Sequence, residues 1–155
     1  MKIKGMKKLE KRINRIVKKI DETVKVELAG SDACYPYKKK IFFSILRDYE
    51  SEKKFMDNLH VTYNDAPHLP IFLYVLLHEI GHINTYEKAY KEEDDNMRQN
   101  IMVKGDEEAY FNLPTEKAAT AWAVDYVKRN PKKAKNIADE ITYAMEKFLA
   151  KNITE

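Results

Sequence analysis

The chain has 155 residues, 44% of them hydrophobic and 34% charged, which is the size and make-up of one globular domain with a heavily charged surface. Lys and Arg (28) exceed Asp and Glu (25) by 3, a balance too even to make nucleic acid or a membrane surface the default partner; 4 Gly and 5 Pro exclude collagen-like and low-complexity readings. Cys34 is the only cysteine, so an internal disulfide framework and a cysteine-based zinc cluster are excluded, and any metal would be held by His and carboxylate groups.

Met6 to Asp21 read as an amphipathic helix, with Leu9, Ile13, Ile16, Val17 and Ile20 at helical spacing and Lys and Arg between them. Its basic face admits nucleic acid, but no aromatic residue interleaves the cations, and a solvated face on a helix packed against the domain is expected. This start lacks the continuous apolar stretch of a secretory leader, and the longest apolar run, Ile71–Leu77, is far short of the roughly 20 residues of a membrane span. A cytoplasmic protein with no membrane partner is the expectation.

Val24, Val26 and Leu28 alternate with Lys25 and Glu27 as in a half-buried strand, and Ala29 to Asp32 supply turn residues. Cys34–Tyr37 and Ile41–Leu46 are β-prone around a lysine run, so a hairpin is expected, with Pro36 favouring an edge position for the first stretch. Asp48 to Leu59 has helix-compatible composition, and His60 to Leu69 reads as a loop. Pro70 suits the first turn of a helix that should run to about Tyr86. Lys88 to Gly105 is polar and acidic and reads as a connecting segment with room for some helix. Thr115 can cap a helix from Glu116 to about Asn130, and a last amphipathic helix follows Pro131. No repeat or linker divides the chain. The expectation is a single α+β domain over residues 1–155, with the basic helix 6–21 packed on it.

His78-Glu79-Ile80-Gly81-His82 fits H-E-x-x-H. At i and i+4 two histidines share one helix face and can hold one ion, while Glu79 projects aside, where it can reach a water without being a ligand. Gly81 costs about 1 kcal/mol of helix propensity, which points to a close backbone approach. Catalytic zinc takes at least a third protein ligand and keeps one position for water. The extended form with a third His fails, because its Gly and His positions are Thr85 and Lys88. Asp106, Glu107, Glu108 and Glu116 are the carboxylates available downstream. Glu116 is favoured because Ala119 and Ala123, at i+3 and i+7, would let its helix lie close against the metal-bearing one.

The motif His78–His82, followed by Glu116-Lys117-Ala118-Ala119-Thr120-Ala121-Trp122-Ala123, resembles the ImmA/IrrE family of zincin-like metallopeptidases, many of them encoded by phages and mobile elements. In that family an H-E-x-x-H helix is followed by E-x-E-A-N-x-F-A. Glu116, Ala119 and Ala123 match, Trp122 stands for the Phe, and Ala118 and Thr120 replace the second Glu and the Asn. The similarity covers roughly residues 41–127. It implies a gluzincin-type site with Glu116 as third zinc ligand, a small twisted sheet beside the active-site helix, and a protein substrate such as a transcriptional repressor.

The expected chemistry is peptide-bond hydrolysis. Zinc on His78, His82 and Glu116 lowers the pKa of its water, and Glu79 takes the proton as general base and passes it to the leaving amine. An extended substrate is expected along the stretch Ile41–Leu46, read as an edge strand. His60, His68, Tyr86, Tyr126 and Tyr143 could donate to an oxyanion, but plain loop histidines and tyrosines in core or rim packing are the expectation. Two other classes remain open: a zincin-shaped binding or regulatory module with little turnover, and a nucleic-acid-binding protein using the basic first helix.

Overall fold

The structure, a computed structural model, describes residues 5–45, 48–86, 88–104 and 107–153. In chain order the elements are α1 (Met6–Val17), β1 (Lys25–Ala29), β2 (Ala33–Tyr35), β3 (Lys40–Ser44), α2 (Tyr49–Thr62), α3 (Ile71–Asn84), α4 (Lys88–Lys104), α5 (Glu107–Phe111), α6 (Pro114–Arg129) and α7 (Pro131–Ile153). This is α+β: helices around one small mixed sheet. A single cluster of buried side chains runs from Leu9 through the sheet and α3 to Phe148. Among the described residues no helix is long and apolar enough to cross a membrane.

The stripe Leu9, Ile13, Ile16 and Val17 is buried as its spacing demands. The helix stops at Val17, short of Asp21, because tighter bonds (Lys19 N–H to Ile16 C=O, 3.1 Å; Ile20 N–H to Val17 C=O, 2.9 Å) turn the chain toward β1. α1 also closes one edge of the sheet. The Asn14 amide brackets Val26, accepting from its N–H and donating to its C=O, both at 2.8 Å, and Glu10 accepts from the Leu28 N–H at 3.0 Å. Side chains thus satisfy strand groups that would otherwise be open to another strand.

The sheet order is β1-β3-β2. β3 pairs parallel with β1 and antiparallel with β2, so the stretch Ile41–Leu46 forms the centre of the sheet and not an edge; Leu46 itself lies outside the described residues. Ile41 and Phe43 are fully buried, which is why this strand takes the central place. β2 is the other edge, the position that Pro36 favoured. Pro36 opens a short 3-10 turn, and Lys39, in the left-handed region at φ 47°, reverses the chain into β3.

Asp48 caps α2, accepting from the Glu50 N–H at 3.0 Å and the Ser51 N–H at 3.4 Å. The helix continues to Thr62, so His60 is helical and not part of a loop. Pro70 takes the N-cap of α3. Every residue of α3 from Leu73 to Gly81 is buried, the outcome expected of a helix apolar on all sides.

Residues 88–104 form one continuous helix, more helix than the connecting segment expected there was to contain. The apolar face is weak, and charge docks this helix: Asp94 is buried, bonded by Arg98 and by the N-terminal turn of α6. Thr115 therefore does not cap α6. Leu113 is the N-cap and Pro114 the first helical residue, and the Thr115 N–H and hydroxyl both donate to Asp94 Oδ1.

Candidate metal centre

α3 and α6 build the site between them. The first turns of α3 are core, and the next turn carries His78, Glu79 and His82 to the floor of a cleft. The two imidazole Nε2 atoms lie 3.2 Å apart, with the rings edge to face at 4.7 Å. From α6, Glu116 Oε2 lies 2.7 Å from His78 Nε2 and 3.3 Å from His82 Nε2. α3 packs on α6 more extensively than on any other described element, and Gly81 permits it: a Cβ there would sit 2.6 Å from the Ala119 carbonyl oxygen. Ala119 and Ala123 are fully buried against this contact.

His78, Glu79 and His82 are close enough to hold one ion, their ligand atoms all within 4.8 Å of one another. The ring of His78 is held from two further sides. Its Nδ1 lies 3.0 Å from Thr120 Oγ1, and Phe55 of α2 packs edge-on at 5.4 Å. A proton on Nδ1 donated to Thr120 would leave the Nε2 lone pair free for an ion shared with Glu116 and His82, whereas without an ion a proton on Nε2 lets His78 donate to Glu116.

Burial and charge set the protonation of the site. Burial pushes the Glu79 carboxyl up, Glu116 and Asp32 add to this, and the two histidines oppose it. Burial would also raise Glu116, but hydrogen bonds and charge from His78 and His82 outweigh it and hold that carboxyl well below the usual carboxylate range. His82 moves up: burial works against its charge, yet the hydrogen bond and charge of Glu116 prevail. The Cys34 thiol, half-buried and near the Glu79 and Glu116 carboxylates, is pushed up to about 12.

Two cavities of about 360 and 290 Å³ flank the centre, and Asp32, Glu79, Tyr110 and Glu116 line both. Ala33 and Cys34 of β2 border the larger one.

Of the residues singled out in the sequence, His78, Glu79, His82 and Glu116 come together here. Asp106 lies outside the described residues; Glu107 and Glu108 open α5, and their side chains are outside them too. His60 and His68 do not line the cleft. Helical continuation of α2 turns His60 onto His68, ring on ring at 4.0 Å, and toward Tyr74. Tyr86 lines the larger cavity, with its hydroxyl bonded to Tyr37. Tyr126 stacks on Trp122, and Tyr143 lies under the Arg12 guanidinium; neither lines the cleft.

No family model, curated protein or solved structure matches the chain. The meaning of the site therefore rests on its own chemistry. That chemistry includes residues the sequence reading passed over. The Tyr110 hydroxyl donates to Glu116 Oε1 at 3.1 Å, and Arg98, which reaches the same oxygen at 3.5 Å, is held by Asp94 at 2.9 Å. The one local signal was the i,i+4 spacing of Asp94 and Arg98, an ordinary helix pair by itself.

Proposed function

We propose that the chain is a zinc-dependent metallopeptidase of zincin-like, gluzincin type, similar to the ImmA/IrrE group. The observation that carries the reading is the convergence of two imidazole nitrogens and one carboxylate oxygen, no pair more than 3.3 Å apart, with a second, buried carboxylate beside them. This donor set fits the three-ligand catalytic zinc type, which keeps a position for water. His78, His82 and Glu116 would hold the ion. Zinc bound there supplies a Lewis acid that polarises a carbonyl and lowers the pKa of a water to about 7.

Glu79 is the general base. It stands beside the ligand atoms, where a carboxylate can accept a proton from water and return it to a leaving amine. Thr120 and Phe55 keep the His78 ring in one orientation. The edge strand β2, rather than β3, supports the binding of an extended peptide, because it borders the cleft and an edge offers backbone groups for strand addition. Cleavage of a specific regulator such as a transcriptional repressor is part of the proposal and rests on the family resemblance.

The test is zinc content beside cleavage of a fluorescence-quenched peptide library, for the parent and for Glu79→Gln. The variant should keep one zinc and lose cleavage. A parent that holds zinc and cleaves nothing in the library or among co-expressed repressors would favour a binding module; a parent that takes up no zinc would refute the metallopeptidase.

A further inference from the structure

We propose that Arg98 and Tyr110 are positioning residues that hold Glu116 as a one-oxygen ligand, an inference that rests on the metal-site reading above. The two oxygens of Glu116 face different surroundings. Oε2 points at the imidazoles, 2.7 and 3.3 Å away. Oε1 takes the Tyr110 hydroxyl at 3.1 Å and faces Arg98 Nη2 at 3.5 Å. A carboxylate left to itself can ligate through either oxygen or both, and donors on Oε1 select Oε2 for the ion.

Arg98 is itself aimed. Its Nε and Nη2 donate to Asp94 Oδ2 at 3.2 and 2.9 Å, and its guanidinium lies 5.2 Å from the Tyr110 ring centre. The other oxygen of Asp94 accepts from the Thr115 N–H at 3.2 Å and from the Thr115 hydroxyl. Thr115 precedes Glu116 on α6. The connections therefore close a loop, Thr115–Asp94–Arg98–Glu116, that locks the helix turn and the ligand it carries to α4. Asp94 is only 2% exposed, so the carboxylate end of this anchor is shielded from water, while the Arg98 side chain is 33% exposed and faces two buried carboxylates at once. Partners of this kind orient metal ligands, and losing one typically weakens binding about 10–100-fold.

A structural tether between α4 and α6 would use the same bonds, so the test must read ligand geometry. Cobalt(II) is the probe, because its visible absorption reports coordination number and symmetry. Metal-free parent, Arg98→Gln, Arg98→Lys and Tyr110→Phe would be titrated with cobalt(II), following affinity and spectrum, with far-ultraviolet circular dichroism as the check on folding. Arg98→Gln should bind about 10–100-fold more weakly, with a weaker, shifted band as Glu116 turns to ligate through both oxygens. Arg98→Lys should recover part of both effects, and Tyr110→Phe should shift the band in the same direction while folding normally.

Parent-like affinity and spectrum in folded Arg98→Gln and Tyr110→Phe would overturn the proposal. So would weaker binding with an unchanged spectrum, which is the signature of a tether alone. If Arg98→Gln fails to fold, Tyr110→Phe decides. A parent that takes up no cobalt overturns the metal-site reading itself, and this inference with it.

Discussion

A methyl group added at Gly81 sets two effects of opposite sign against each other. Within a helix, Gly→Ala favours the variant by about 1 kcal/mol. At this position the new Cβ would lie 2.6 Å from the Ala119 carbonyl oxygen and 3.1 Å from its Cα, where ordinary contact begins at 3.4 Å. The difference, 3.4 minus 2.6, asks α6 to retreat by about 0.8 Å. The obstacle is backbone and has no rotamer to escape into, so the cost belongs in the upper half of the ~1–3 kcal/mol range for overpacking. Net of propensity, Gly81→Ala should destabilise by about 1–2 kcal/mol. For a chain of this size that lowers the midpoint of thermal unfolding by roughly 2–8 °C. Glu116 stands one turn before Ala119 on the same helix, so the retreat carries Oε2 away from the imidazoles. Functional sites tolerate displacements of about 0.5 Å, and zinc affinity should fall roughly tenfold or more. Thermal melts of the metal-free proteins, followed by zinc titration against a chromophoric chelator, measure both. A variant that melts higher than the parent and binds zinc equally well would refute the close approach, since propensity alone would then decide the outcome.

Asn14→Ala removes both side-chain bonds to Val26 and opens the edge of β1; a loss of about 2 kcal/mol is expected, seen as a lower melting temperature and faster hydrogen exchange at the Val26 amide. Unchanged exchange there would mean that the edge does not depend on Asn14. Zinc affinity should also depend on pH through His82, whose pKa in the metal-free protein stands above the ordinary 6.5. The sign follows from the proton. Bound to Glu116, the imidazolium stabilises the metal-free fold below its ordinary pKa, and that contribution disappears as pH rises through the raised value. Metal must displace the same proton, so zinc affinity should rise over the same interval, by up to about tenfold per pH unit. Glu116, with its lowered pKa, stays ionised throughout and adds no slope. Isothermal titrations at about pH 6 and pH 8 decide the matter; equal affinities would contradict the His82–Glu116 coupling.

Features set by a few neighbouring residues were legible in the chain alone. His78 and His82 share a helix face because the pitch of a helix puts i and i+4 together wherever that helix sits. The apolar run before them demanded a buried helix, and Pro36 demanded an edge. Gly81 and the alanines at 119 and 123 even indicated where two helices would approach closely. Tertiary structure alone decided the rest. Alternation marks a strand but carries no record of its neighbours, so the central place of β3 depended on α1 covering β1 and on the hairpin returning beside it. Residues 88–104 have little apolar face to bury, and their docking comes from Asp94 and Arg98 meeting α6, a contact invisible at the level of local pattern. His60 fell on the wrong side of a helix end that packing extended by three residues, from Leu59 to Thr62. The partners of Glu116 are of the same kind: a guanidinium from α4 and a phenol from α5 meet its carboxylate only after three helices have docked, and no spacing in the sequence encodes that meeting.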